Sequence, residues 1–445
     1  MIDRTATNTT LTADGFTEEG FEAFLAGRRE PPWLSRVRRE AFGAFAAASL
    51  PDRSLEEWRR TDVRPLKLGS WTVPAGAPST AEAPKALLHE DVDLAGQAAT
   101  RDGQAVDAWL DPALARQGVL FGSLDDLLRE HGDRLQPYLF GRAADPFADK
   151  FAALHAAFWC GGTLLFVPRG VAVERPLHMI SALGDGKVDL GHTLVVLEEG
   201  AEATLLAETA STAATDGGLH CGAVELLVAP GASLRYVNLQ NWGQGVWHFA
   251  HQKAVVERAG RIQWTIGALG ARLAKVNQQV VLSGEEAEAQ VNGVMFAEGR
   301  QHLAYVTRQH HEASRCRSDL LYKGALQDRS QLVWRGMVKV DPDAQKTDGY
   351  QRNDVLMLSQ AARGDSIPGL EIEADDVRCS HGATVGRVDD ELIFYAQSRG
   401  LRRKEAVRLV VAGFFQQVFD RITIGSVREA LSRAIGQRIR EYQET

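Results

Sequence analysis

Three textures of apolar and polar positions follow one another along the chain. In the first, apolar residues recur at helical spacing. Thr17 to Gly27 predicts a short helix, and Trp33, Val37, Phe42, Phe45 and Leu50 predict an amphipathic one that Pro51 ends. Ser123 is placed to cap a helix through Leu124, Leu127 and Leu128, and Phe147 to Trp159 reads as another. Residues 75 to 108 are rich in Ala, Pro and Gly with weak periodicity, which predicts loops and short elements.

From Gly161-Gly162 to about residue 375 the second texture sets in: short runs rich in Val, Leu and Ile, broken by Gly. Thr193 to Leu197, Val224 to Val228, Lys253 to Val256 and Gln279 to Leu282 read as strands. Their corners resemble one another, with Gly200, Gly231, Gly260 and Gly284 spaced by 31, 29 and 24 residues. A loose period of this size without intervening helices predicts a stacked parallel β-solenoid. An antiparallel sandwich is the alternative, but Asn-Gly hairpin turns are scarce, with Asn292-Gly293 an exception. After about residue 388 the pattern is helical again. Asp389 caps a helix that Gly400 stops, a second runs from about Lys404 to Ile422, and Ser426 is placed to cap a third. The expected division is 1–160 helical with loops, 161–388 β-solenoid, and 389–445 helical.

Composition narrows the function. The chain has 445 residues, 50 basic against 58 acidic, and a net charge of −8, so it lacks the basic excess of a general nucleic-acid binder. Cys160, Cys221, Cys316 and Cys379 lie far apart with no CxxC pair, which excludes a disulfide-dense scaffold and a zinc ribbon. The polar start, and the lack of an apolar stretch near the ~18 residues of a membrane span, point to a cytoplasmic protein. There is no Walker A sequence, no GxGxxG opening a βαβ unit and no GxSxG, so neither an ATPase nor a Rossmann dehydrogenase is expected.

Three ionisable clusters remain. Asp375-Asp376 and Asp389-Asp390 offer paired carboxylates for a polysaccharide-cleaving β-helix enzyme, but neighbours on a strand face apart and such pairs commonly sit in turns and caps. His310-His311 with Cys316 forms a soft-to-borderline ligand set, of which one histidine at most could share a site with the thiol. In Cys379-Ser380-His381, an extended backbone puts the thiol and the imidazole on one face, roughly 6.5–7 Å apart by strand rise. That spacing suits one metal ion or sulfur transfer, or else a buried thiol beside a structural histidine.

The same segment carries a family resemblance. Leu370-Glu371-Ile372, Ala374 to Gly386 around Cys379-Ser380-His381-Gly382-Ala383, Leu392 to Tyr395 and Ser398-Arg399-Gly400 resemble the SufB/SufD family of iron–sulfur cluster assembly proteins. Supporting segments are Tyr322-Lys323-Gly324, Gly336 to Val340, Ala344 to Asp348, and Glu57-Trp58-Arg59-Arg60-Thr61-Asp62 near the N-terminus. The resemblance implies a right-handed parallel β-helix core between N- and C-terminal helical regions. It implies a SufB paralogue and a SufC ABC-type ATPase as partners, with a nascent, transient iron–sulfur cluster at the SufB junction and ATP hydrolysis left to SufC. It places His381 at that junction as the candidate metal ligand, with Cys379 beside it.

Gly382 stands where the SufB branch has an acid, and Asn353 falls at that branch's cluster-linked cysteine. The resemblance is therefore to the SufD branch, a non-catalytic scaffold subunit that holds no cluster firmly alone. A SufB-like homodimeric scaffold is the alternative, and the β-helix carbohydrate enzyme a more distant one. Val407, Val411, Phe414, Val418 and Ile422 form an apolar stripe on the penultimate helix, Phe415 and Phe419 widen it on one flank, and further apolar residues surround it. A helix serving one core needs one stripe, so the surplus points to a partner, and the resemblance makes that partner SufC.

Overall fold

The computed structural model describes residues 15–74, 86–88, 92–213 and 216–439. Of the loop-rich stretch expected over 75 to 108, residues 75–85 and 89–91 lie outside the described residues, as does the polar stretch 1–14.

The N-terminal part contains α1 (Glu18–Ala26), α2 (Pro32–Ala47), β1 (Gly96–Arg101), β2 (Gln104–Leu110), α3 (Pro112–Arg116), β3 (Leu120–Ser123), α4 (Leu124–Leu135) and α5 (Lys150–Phe158). Ser123 caps α4 as expected, and Thr17 caps α1 as well. Thr17 Oγ1 accepts from Gly20 N at 3.1 Å, and Ser123 Oγ accepts from Asp126 N at 3.3 Å. Helix α2 stops at Ala47, short of Pro51. Phe16, Phe21, Phe24, Phe42 and Phe45 gather around the ring of Phe158, which fastens α1 and α2 to α5.

The solenoid follows as β4 (Gly162–Val167), β5 (Leu177–Leu183), β6 (Lys187–Asp189), β7 (His192–Leu197), β8 (Glu202–Ser211), β9 (Gly217–Val228), β10 (Ser233–Asn241), β11 (Gly245–Val256), β12 (Arg261–Ala268) and β13 (Leu273–Leu282). It continues as β14 (Glu288–Ala297), β15 (His302–His311), β16 (Arg317–Leu326), β17 (Gln331–Val340), β18 (Asp348–Met357), β19 (Arg363–Ile372) and β20 (Arg378–Arg387). Even-numbered strands from β8 stack in one sheet, β5-β8-β10-β12-β14-β16-β18-β20, and odd-numbered ones in the other, β19-β17-β15-β13-β11-β9-β7-β4. Within each stack the pairing is parallel, as a coil requires. At the N-terminal end β1 joins β5 in parallel, but β2 and β3 are laid on antiparallel.

One corner column explains the repeat. Gly170, Gly200, Gly231, Ala259, Glu286, Arg315 and Lys346 occupy equivalent places in successive coils, all with φ between 54° and 70°. Each donates its N–H to a carbonyl of the next coil, from Gly170 to Glu199 at 2.9 Å through Lys346 to Asp376 at 2.6 Å. Gly260 and Gly284, although part of the repeating glycine pattern, are not left-handed. They are glycine because a Cβ would stand 2.9 Å from Glu257 O and 2.1 Å from Arg258 N respectively.

The chain ends in α6 (Asp390–Ser398), α7 (Arg403–Phe419) and α8 (Gly425–Arg438). Asp389 caps α6 as expected, and Gly400 follows at φ 94°. Ser426 is not a cap, because α8 begins one residue earlier at Gly425. The three helices lie along the outside of the even-numbered sheet, packed on Val237, Leu239, Val294, Phe296 and Leu321.

Candidate functional site at the open coil

Strands β19 and β20 end their sheets, and among the described residues no strand or helix continues the stack. β20 is exposed along most of its length, and β19 is mostly half-buried. Pro368 lies within β19, a position compatible with an edge strand because proline has no N–H to donate. Alternation along β18 fixes the facing of β20. Gly349, Gln351, Asn353 and Val355 point into the lumen, and their partners in register are Cys379, His381, Ala383 and Val385. Cys379 and His381 therefore share the lumenal face at the mouth of the open coil, as the period-two reading of their spacing required. His381 is exposed and Cys379 half-buried. Burial pushes the Cys379 thiol up, with a Gly349 backbone donor opposing.

The lumen behind the mouth is polar. Gln351 is fully buried and donates to Gly369 O at 2.8 Å, and Asn353 donates to Ser366 Oγ. One coil further in, Gln309 donates to Ser318 Oγ at 2.7 Å and His311 Nε2 faces the same hydroxyl at 2.8 Å. Burial and the neighbouring His310 lower His311 to about 4, so it is neutral near pH 7. Far from the mouth, Asp189, His220, Gln240, His248 and Gln252 line a cavity of about 60 Å³, room for a few waters. There His220 and His248 meet Nδ1 to Nδ1 at 2.8 Å.

The other sequence candidates separate. Asp375 and Asp376 lie in an exposed turn, and Asp389 is spent on the α6 cap, so these acids do not converge on a cleft. His310 and His311 face apart. Cys316 does not join them; it is buried with its thiol on Gly284 O at 3.1 Å. Among the described residues, the group with metal-ligand spacing is His310, Glu312 and Asp341. Both ring nitrogens of His310 already face a carboxylate, and Lys339 stands 3.7 Å from Asp341. That is an ion-pair cluster on the solenoid wall.

The α7 stripe is covered within the chain itself. Val407, Val411, Phe415 and Val418 are buried in the core between α7 and the solenoid, and Phe414 is half-buried with its ring 4.7 Å from Lys323 Nζ. The stripe packs on the chain's own sheet because that sheet's outer face is apolar there. The apolar surface left open at this end belongs to Leu392, Phe394 and Tyr395 on α6 and Leu409 on α7, with Phe394 72% exposed. A buried ionic link joins this end to the mouth: Lys323 reaches Asp354 at 3.4 Å, and Thr384 of β20 donates to Asp354 at 2.6 Å.

The architecture is that of a β-solenoid scaffold, helical at both ends, with a thiol and an imidazole at its open coil. Comparison with known proteins agrees. The family model described as "SUF system FeS cluster assembly, SufBD core domain" matches residues 179–414, and "SufBD protein N-terminal region" matches 23–179. The chain is 28% identical to iron–sulfur cluster assembly protein SufD of Bacillus subtilis over 431 residues, covering 95% of this chain and 98% of the relative. It is 28% identical to SufB of the same organism over 415 residues, covering 90% and 88%. A SufBD family protein of Staphylococcus haemolyticus is 27% identical over 412 residues, again covering 90% and 88%. The chain belongs to the SufB/SufD family of iron–sulfur cluster assembly proteins.

Proposed function

We propose that the chain is the SufD-like, non-catalytic subunit of a SufB–SufC–SufD assembly, and that its open coil pairs with a SufB paralogue to build a nascent cluster at the junction. The observation that carries this reading is the pair of uncovered terminal strands with His381 and Cys379 on the lumenal face between them. Unpaired strand edges are templates for another strand, and a second coil laid there would enclose both side chains. Asn353 supports the SufD side of the family: it is buried and bonded to Ser366, and offers no thiol. The 98% coverage of the SufD relative, against 88% for SufB, points the same way. SufC docks at the C-terminal helices in this reading, through Leu392, Phe394, Tyr395 and Leu409, with Phe414 at the edge of the patch.

The test is co-purification of the chain with its SufB and SufC partners, followed by anaerobic iron and sulfide analysis. His381→Ala should leave the complex assembled and lower both contents. Normal cluster content in that variant would overturn the role of His381.

A further inference from the structure

Strand β20 carries the thiol and the imidazole of the open coil, yet little in its own composition fixes where along β18 it lies. Cys379 and Gly382 are half-buried, and the other residues of the strand are exposed. Gly382 and Gly386 add no packing side chain. Register is strongly specified where one face is buried, and weakly in Gly-rich strands with both faces open. A slip of two residues keeps the inward and outward alternation, so the facing of the side chains does not forbid it. Such a slip would carry His381 from opposite Gln351 to opposite Gly349 or Asn353, roughly 6.5–7 Å along the strand.

One contact on the outer face tells these registers apart. Thr384 lies opposite Asp354 and donates its hydroxyl to Asp354 Oδ1 at 2.6 Å. After a two-residue slip the residue opposite Asp354 would be Gly382 or Gly386, and neither has a side chain to donate. The acceptor is held in place from the side away from the mouth. Asp354 is 3% exposed, both its oxygens take Arg352 Nε at 3.0 Å, and Lys323 Nζ stands 3.4 Å from Oδ2. Lys323 is buried too, with its ammonium 4.7 Å from the ring of Phe414 on α7. A buried ion pair adds little net stability, but removing one donor from a buried carboxylate is costly, so the group penalises every register that lacks Thr384.

We propose that Asp354 is a positioning residue: through Thr384 it locks β20 in the one register that sets His381 opposite Gln351 at the mouth. The inference deepens the proposed function and rests on it, because what the lock positions is the imidazole assigned there to cluster building.

The experiment pairs hydrogen exchange on the full chain, read by mass spectrometry, with iron and sulfide analysis of the complex with SufB and SufC. Thr384→Val keeps the shape and removes the donor. It should quicken exchange of the β20 amides that bond to β18 at least about tenfold, while β14 to β18 and the urea midpoint stay as in the native chain. In the complex it should lower iron and sulfide at least about twofold. Thr384→Ser keeps the hydroxyl and should restore both slow exchange and cluster content. Thr384→Ala is read instead if the valine variant does not fold. Unchanged β20 exchange in Thr384→Val, or equal quickening throughout the solenoid, would overturn the lock. Normal iron and sulfide in Thr384→Val, beside a loss in His381→Ala, would overturn the positioning role and leave the proposed function standing. Normal clusters in the His381→Ala complex would remove that function and with it the positioning role, and the exchange result would still report the register lock.

Discussion

Acid should unfold this protein earlier than its carboxylates alone would dictate, because several histidines are packed inside the fold. Burial holds His155, His220, His248, His302 and His311 below the ordinary imidazole value, with His311 at about 4 and His155 and His248 held well below. In the unfolded chain each takes up a proton near pH 6.5, whereas in the fold it stays neutral. The unfolded state then binds more protons, so stability is full above about pH 6.5 and is lost as pH falls toward the folded values. At pH 5.5, one unit below the unfolded value, His311 costs about 1 kcal/mol, and the buried His155 and His248 act with the same sign. Even about 1 kcal/mol is a noticeable share of the ~5–15 kcal/mol that holds a typical domain. His220 and His302 act with the same sign. Urea unfolding of the full chain at pH 7.5 and 5.5, followed by circular dichroism, reads the effect above the range where most carboxylates titrate. His248→Gln and His311→Gln should each remove about one proton from the pH slope. Equal midpoints at the two pH values, or a slope that neither variant changes, would refute the reasoning.

Other expectations are narrower. Gly231→Val should destabilise the solenoid by roughly 1–2 kcal/mol, because φ at that corner is 67°, whereas Ala259→Gly at the next corner should raise the thermal midpoint by relieving the same strain. If the two substitutions shift the midpoint in the same direction, the corner column does not carry strain. Phe415→Ala should cost about 3–5 kcal/mol by opening a cavity against the even-numbered sheet, seen as a lower urea midpoint. Phe394→Ala should leave that midpoint unchanged and weaken SufC retention in a pull-down by over about tenfold. Full SufC binding in that variant would remove α6 from the docking surface.

Much of the solenoid was legible because glycine recurs at its corners, left-handed at Gly200 and Gly231 and sterically required at Gly260 and Gly284, and the runs between them are β-branched or aliphatic. The other corners, Ala259, Glu286, Arg315 and Lys346, carry no such mark, since cross-coil hydrogen bonds hold them in the conformation. Strand lengths were under-read for a related reason. Val224 to Val228 is only the end of β9, which begins at Gly217, and Lys253 to Val256 only the end of β11. The parts that precede those runs place His220, His248 and Gln252 in the lumen, where a polar residue reads in sequence as a loop or a solvent face. Cys379 and His381 were legible as a pair because period two is a local property. For α7 the periodicity showed an apolar stripe but not what covers it, and the chain's own sheet does.

The antiparallel strands at the N-terminal end set how far this molecule can associate by coil stacking. Parallel stacking stops at β2 and β3, whose direction is reversed, while β19 and β20 remain open at the other end. A solenoid open at both ends would have a valence of two and would grow into a fibre. Among the described residues the run of parallel coils stays open only at β19 and β20, so a joint made by continuing that parallel run uses this end alone. In the function proposed above, two subunits would meet end to end there and both open coils would be used up in one joint.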